Sequence, residues 1–204
     1  MVLFRLHLAS NSSGNGVGLL WNLFLAAIPL VWSAAFVAAL ARKQRIWAAI
    51  SFVLWLLFLP NAPYLLTDVM HLAPRPPVPF WYVLAMLLSC AATGTLLGYL
   101  SLMEVQAAIE DSFGPFVGWL VALGALMGCG FGIYLGRFLR WNSWDALTHP
   151  LQFARVTVGQ FLDPGGQPHP VAVTLVYGGG LVIGYVALRV LAATNYSPTR
   201  GTTR

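Results

Sequence analysis

The feature that most constrains this chain is a series of long apolar stretches that carry almost no charge. Only 8% of its 204 residues are charged, whereas a soluble domain carries about 25%. Too few charges are present to build a water-facing surface, so the bilayer must be the solvent for most of the fold. We therefore predict an all-α fold, a polytopic membrane helix bundle that forms a single integral membrane domain over residues 1–204.

Five stretches are candidates for transmembrane helices, since each crossing needs about 20 apolar residues. We place them at about residues 18–40, 46–59, 80–102, 116–138 and 171–192. The second stretch is short for a crossing. We expect it to extend past Pro60, where the prolines at 60 and 63 kink or end the helix.

The basic residues indicate an orientation. Arg42, Lys43 and Arg45 form the only dense basic cluster, which is typical of a cytoplasmic helix end. Five crossings place the two termini on opposite sides. We therefore expect a multi-pass protein of the inner (plasma) membrane, with its N-terminus outside.

The same count fixes which loops share a side of the membrane. The loops after the second and fourth spans emerge together, on the outer side in this orientation. Glu104, Glu110 and Asp111 fall on the opposite side, where we expect an ordinary solvated connection between spans three and four.

Two polar strings interrupt the apolar sequence, and both lie in loops predicted to share a side. The first, LPNAPYLLTDVMHL, covers residues 59–72. If its second half is α-helical after Pro63, one face presents Tyr64, Thr67, Asp68 and His71, at the spacing i, i+3, i+4 and i+7. Asn61 precedes that turn. Polar groups beside hydrocarbon are costly, and membrane proteins that keep them usually use them.

The second polar string, GIYLGRFLRWNSWD, covers residues 132–145. Arg137 and Arg140 are three residues apart, so on a helix they would share a side. Asn142, Trp144 and Asp145 follow where that helix ends. Because the two strings emerge at one membrane face of a small bundle, we expect them to meet.

Three interpretations of this cluster stay open. The arginines and aspartates could only staple two loops together as ion pairs. The cluster could instead bind an anionic group or perform acid–base chemistry, since arginine suits phosphate or carboxylate and histidine titrates near neutral pH. Candidate catalytic residues are Asp68, His71, Arg137, Arg140 and Asp145, and candidate substrate-binding residues are Asn61, Tyr64, Thr67, Asn142 and Trp144.

A metal site is the third interpretation. Asp68 and His71 could supply two ligands and Asp145 a third, but no established ligand motif is present and the nearby arginines disfavour a cation. We therefore predict no metal site and no cofactor.

Glycines recur every fourth residue in the fourth span, at positions 124, 128, 132 and 136. That spacing places them on one helix face, where small residues let membrane helices approach closely. We expect this stripe to pack against a neighbouring helix. Residues 151–162 are expected to form a short amphipathic helix on the interface.

Both polar strings resemble the signature stretches of an uncharacterised bacterial membrane family, the domain of unknown function 1361. The similarity extends over most of the chain, which has the length and hydropathy of such proteins. This resemblance implies an integral membrane protein of bacterial type, and it carries no activity with it.

The sequence indicates an integral membrane protein with a polar cluster at one face, and it does not specify a reaction. One alternative is a membrane enzyme or binding protein that acts on a lipid head group or isoprenoid phosphate. A second is a small transporter or a non-catalytic subunit of a membrane complex. We expect membrane lipid as a partner, and a homo-oligomer or a membrane-protein partner is a further option. We expect no nucleic-acid partner, because the basic residues are scattered.

Overall fold

The structure is a computed structural model that describes residues 16–71, 78–141, 148–162 and 169–195. These residues form six long helices, joined by short connections. They are α1 (Gly16–Ala41), α2 (Arg45–Phe58), α3 (Phe80–Phe113), α4 (Pro115–Arg137), α5 (Pro150–Leu162) and α6 (Pro170–Asn195). The prediction of an all-α polytopic helix bundle is confirmed.

Five segments are long and apolar enough to cross a membrane, with mean hydropathies from 1.7 to 2.3. They are α1, Arg45–Asp68, α3, α4 and α6. The protein is therefore a multi-pass membrane protein. α3 continues well past its predicted end at residue 102, to Phe113.

The turn between α1 and α2 carries the basic cluster. Lys43 has a positive φ of 58°, and the next residue, Gln44, donates its backbone N–H to Ala39 O at 2.9 Å. A second bond runs from Lys43 N to Leu40 O at 2.9 Å. These two bonds are those of a Schellman motif, which ends a helix through a left-handed residue. α1 and α2 thereby form a tight antiparallel hairpin.

Beyond α2 the chain stays helical but changes its geometry. One α-helical turn, Asn61–Tyr64, is followed by a 3₁₀ helix, Leu65–His71. We call residues 60–71 the polar extension. Pro60 and Pro63 have no N–H and cannot donate to a carbonyl one turn back, which ends the regular α-helix here.

The α-helical face predicted for the polar extension is wrong from Leu65 onward, because a 3₁₀ helix repeats every three residues. Thr67 is fully buried, and its hydroxyl donates to Tyr64 O at 2.7 Å. Tyr64 and Asp68 instead line a cavity described below.

The polar extension packs on α3 at two glycines. A Cβ on Gly94 would lie 2.5 Å from Ala62 O, and one on Gly98 would lie 2.9 Å from Ala62 Cβ. Only glycine permits this approach of the two backbones. α3 therefore fixes the position of the polar extension.

The glycine stripe of α4 packs over only half of its length, which corrects the prediction. A Cβ on Gly132 would meet Pro60 at 2.5 Å, and one on Gly136 would meet Tyr64 at 3.1 Å. Gly124 and Gly128 have no such neighbour within 4 Å. α4 approaches α6 most closely on a different side, at Gly130, where a Cβ would lie 2.6 Å from Thr174 O.

Of the three acids near the end of α3, Glu104 and Asp111 are exposed, but all three lie in the helix rather than in the predicted connection. Glu104, Glu110 and Asp111 belong to α3, and only Gly114 separates α3 from α4. Ser33 Oγ donates to Glu104 Oε2 at 2.6 Å, which ties α1 to α3. Asp111 alone of the three has no partner in the described part of the chain and is exposed.

Glu110 belongs to a network that joins α3 to α6. The Tyr185 hydroxyl donates to Gln106 Oε1, and Gln106 Nε2 donates to Glu110 Oε1, each at 2.6 Å. Arg189 Nη2 lies 3.8 Å from that same carboxylate oxygen. Gln106 and Tyr185 are fully buried. We call these four residues the α3–α6 network.

Candidate functional site

The two polar strings meet where α4 ends. Arg137 is the last residue of α4, and its Nη1 donates to Asp68 Oδ1 of the polar extension at 3.3 Å. Its Nη2 donates to the backbone carbonyl of Thr67 at 2.7 Å. One guanidinium therefore joins α4 to the polar extension through a carboxylate and a carbonyl.

An aromatic ring and a glycine complete the support of this guanidinium. Arg137 Cζ lies 5.8 Å from the centroid of the Tyr64 ring, within the range of a cation–π contact. The ring fits because Gly136 has no side chain there. Arg137 is held by a carboxylate, a carbonyl and an aromatic face, which fixes its position.

Arg137 nonetheless keeps hydrogen-bonding capacity. A guanidinium has five N–H donors, and within the described residues Arg137 directs Nη1 to Asp68 and Nη2 to Thr67. Its side chain is 12% exposed and that of Asp68 is 18% exposed. The exposed part of both groups faces a cavity, so a ligand there could reach the remaining donors.

That cavity has a volume of about 520 Å³, within the range of small-molecule sites. It lies between α1, α2, the polar extension and α4, with α5 at one edge. Its lining includes the polar residues Asn22, Asn61, Tyr64, Asp68 and Arg137, the aromatic residues Trp21, Phe131, Trp141 and Phe153, and the aliphatic residues Leu25, Leu56, Leu57 and Leu135.

Asn22 is a lining residue that the sequence analysis missed. It lies near the start of α1, and its side-chain amide has no hydrogen-bond partner in the described part of the chain. A single amide in an otherwise apolar span is itself a signal, because such a group usually faces the bundle interior or a polar cavity. Asn22 adds two N–H donors and an oxygen acceptor to the wall of the cavity.

α5 closes the cavity at the end where Arg137 lies. Phe153 and Trp141 both line it, and their rings are 5.5 Å apart in an edge-to-face arrangement. The Tyr134 hydroxyl donates to Gln160 Oε1 at 2.9 Å, which ties α5 to α4. The predicted helix over 151–162 is present, and these contacts are what hold it beside the site.

The helical spacing predicted to place Arg137 and Arg140 on one side is absent, because Arg140 lies outside α4. α4 ends at Arg137, and Arg140 has a positive φ of 58°. Helical spacing therefore does not apply between the two arginines. Arg140 is exposed and forms no ion pair within the described residues.

Of the other candidate residues, some lie within the described part of the chain and some do not. Asn61 lines the cavity, and its Nδ2 donates to Phe58 O at 2.9 Å. His71 ends the 3₁₀ helix. Four predictions lie outside the described residues, namely those on the side chain of His71 and on Asn142, Trp144 and Asp145.

The chemistry of the site is that of a donor set for an anion. Arg137 offers charged N–H groups and Asn22 offers neutral ones, and a guanidinium suits the planar or tetrahedral oxygens of carboxylate and phosphate. Among the described residues, no group of three His, Cys, Asp or Glu side chains lies close enough to hold a metal ion.

Comparison with known proteins gives one match. The model of the family described as "Protein of unknown function (DUF1361)" matches residues 21–183, which include both polar strings, the first four membrane-spanning segments apart from the start of α1, and about the first half of the fifth, α6. No curated protein and no solved structure matches the chain. Because the match covers well over half of its length, this membrane protein belongs to the DUF1361 family.

Proposed function

We propose that this protein binds a phosphate group at one face of the membrane, carried by a lipid head group or an isoprenoid phosphate. The observation that carries the proposal is a fixed arginine with spare donors on the wall of a cavity. Arg137 is anchored by Asp68 and the Thr67 carbonyl, and Asn22 adds an amide without a partner in the described part of the chain.

Asp68 supports this proposal rather than opposing it. An isolated arginine at this depth would be costly, and one carboxylate oxygen at 3.3 Å partly offsets its charge. That contact uses one edge of the guanidinium. A phosphate with three terminal oxygens can accept from the edge that remains.

The surrounding charge also favours an anion. Arg140 and Arg155 are both exposed near the same face. In the sequence, residues 59–79 and 137–169 together carry four arginines, at 75, 137, 140 and 155, and three acids, at 68, 145 and 163. A locally positive surface raises the concentration of anionic ligands near the site.

Two observations argue against a purely structural ion pair and against a transporter. An ion pair that only staples two segments needs no cavity, yet this one borders about 520 Å³. A transport path would have to cross the membrane, whereas the lining of α4 extends only from Arg137 to Gly128. Nine residues of helix span about 14 Å, a minority of the membrane thickness.

The proposal places the site on the outer side of a bacterial plasma membrane, with the N-terminus outside. It follows from the basic cluster at Arg42, Lys43 and Arg45, which is typical of a cytoplasmic turn. Membrane lipid is then the first partner we propose. A second copy or another membrane protein is a further one.

Binding of lysophosphatidate to the purified full chain tests the proposal. Arg137→Ala removes the charged donors and should weaken binding about tenfold or more, since hydrogen bonds to charged groups contribute about 1.5–3 kcal/mol. Lysophosphatidylcholine of the same chain length, whose phosphate is screened by a choline, should bind more weakly to the unaltered protein. Titration followed by native mass spectrometry measures both.

Arg155→Ala is the matched control. Arg155 is an exposed arginine of α5 that does not line the cavity, so the change removes the same charge elsewhere on that face. We expect it to leave affinity within about twofold. Equal losses in the two variants would mean that only general charge attracts the lipid, and would overturn the proposal.

A further inference from the structure

The cavity has two chemically different ends. Its polar residues gather where α4 ends, at Arg137 and Asp68, while Leu25, Leu56 and Gly128 line the opposite end. Gly128 lies nine residues before Arg137, about 14 Å deeper along the helix axis. A ligand that fills this cavity must have a polar head and an apolar part behind it.

The apolar end lies at the surface of the bundle that faces hydrocarbon. Leu56 is 40% exposed, although it lines the cavity. Gly128 is exposed as well, and nothing would meet a Cβ built on it within 4 Å. The cavity wall at this depth is therefore accessible from the membrane.

The packing of the helices explains why a gap remains there. α2 packs on α1, and α4 packs on α3 and α6. α2 and α4 are bridged at one end, where Pro60 of the polar extension rests on Gly132. Below that bridge Gly128, which has no close neighbour, lines a groove together with Leu56 and Leu57 of α2.

We infer that the ligand is a long-chain phosphate ester that enters sideways from the bilayer, between α2 and α4. Its phosphate binds at Arg137, and one hydrocarbon chain lies along the groove past Leu56 and Gly128. This inference rests on the proposed function and adds where the hydrocarbon chain of the ligand lies and by which route the ligand enters. A free phosphate would use only the polar end and would leave the apolar end unoccupied.

Filling the groove tests the inference. A Cβ at Gly128 meets no protein atom within 4 Å, so we expect the side chain of Gly128→Leu to fill the apolar end and the helix to fold normally. Steric exclusion of the chain should weaken lysophosphatidate binding about tenfold. Glycerol phosphate, which has the same head and no chain, should bind the variant as it binds the unaltered protein, and more weakly than lysophosphatidate in both.

Gly180→Leu is the matched control. Gly180 is an exposed helical glycine of α6 with equally open surroundings, and it does not line the cavity. The Gly180→Leu variant should bind lysophosphatidate and glycerol phosphate as the unaltered protein does. A lysophosphatidate with a photoreactive group at mid-chain gives an independent readout, because it should label peptides of α2 and α4 near Leu56 and Gly128.

The outcomes separate the two proposals. Normal lysophosphatidate binding by Gly128→Leu, or labelling confined to other helices, overturns the lateral route and leaves phosphate binding in place. Equal affinities of the unaltered protein for glycerol phosphate and lysophosphatidate would also overturn the lateral route. They would indicate a free phosphate as the ligand. If Arg137→Ala binds both ligands normally, the phosphate site itself is wrong.

Discussion

The α3–α6 network and the Arg137 site are both polar clusters beside apolar helices. They differ in how many of their hydrogen-bonding groups have partners within the protein. In the network, Tyr185, Gln106 and Glu110 are linked by two hydrogen bonds of 2.6 Å, and none of them lines the cavity. At the site, Arg137 keeps donors in reserve beside open volume. A polar group whose partners are all internal stabilises a fold, whereas one with spare capacity can bind a ligand.

The two clusters also differ in their surroundings. Around the network, the ring of Tyr185 packs against Tyr99 and Trp119, with centroids 5.5 and 6.2 Å away. Arg189 lies over the Trp119 ring at 5.7 Å. The rings thus enclose the buried end of the network, at Tyr185 and Gln106, while Glu110 and Arg189 at its other end are partly exposed. We therefore expect changes in the network to affect stability and changes at the site to affect binding.

The largest loss of stability is expected from Gln106→Leu. The new side chain is similar in size, but the buried Tyr185 hydroxyl loses its acceptor, and the partly exposed Glu110 loses a donor. A buried polar group without a partner costs about 1–3 kcal/mol, so the free energy of unfolding should fall by about 2 kcal/mol or more. Unfolding of the reconstituted protein, followed by steric trapping, measures this.

Gln152→Leu controls for that substitution, because Gln152 is exposed on α5. It should change stability by less than about 0.5 kcal/mol. Arg137→Ala should cost less than Gln106→Leu, since Asp68 remains accessible to water through the cavity. A greater loss from Arg137→Ala would reverse the comparison and make the site the structural cluster.

A smaller loss is expected from Tyr185→Phe, which removes one hydroxyl and keeps the ring packing. The expected change is about 1 kcal/mol, the net value of a typical hydrogen bond. In the background of Gln106→Leu the same change should be neutral or stabilising, because the hydroxyl has already lost its acceptor. The double-mutant cycle measures this coupling, and additive losses would show that the hydrogen bond of 2.6 Å contributes little.

Most of the fold could be predicted from the sequence, and the reason is physical. Hydropathy over a span is a sum over about 20 residues, so single errors do not change it. The meeting of the two polar strings followed from the number of crossings between them, which puts both loops on one side. Arg137 contacts Asp68 for that reason.

What could not be predicted depends on single hydrogen bonds and close contacts. The 3₁₀ geometry that buries Thr67 and the positive φ of Arg140 arise after prolines and at a helix end, where the regular period fails. The pairing of Gln106 with Tyr185 joins residues 79 positions apart, and nothing local in the sequence marks it. Asn22 could have been found, as a lone amide in an apolar span.

Glu110 gives the smallest expected effect and the finest test of the comparison. The sequence predicts Glu110 in a solvated connection, whereas in the structure it lies at the edge of the network. Glu110→Gln removes its charge but keeps an oxygen that can accept from Gln106 Nε2. The substitution removes the ion pair with Arg189. Arg189 Nη2 lies 3.8 Å from Glu110 Oε1, and the side chains of Arg189 and Glu110 are 31% and 24% exposed.

An exposed ion pair of this kind contributes only about 0–1 kcal/mol and is screened by salt. We therefore expect Glu110→Gln to lower the free energy of unfolding by less than about 0.5 kcal/mol at physiological ionic strength. The difference from the unaltered protein should shrink further in concentrated salt. A loss of stability as large as that of Gln106→Leu, and unchanged by salt, would contradict this expectation. It would mean that the carboxylate charge of Glu110 and its pair with Arg189 are needed to hold the network together.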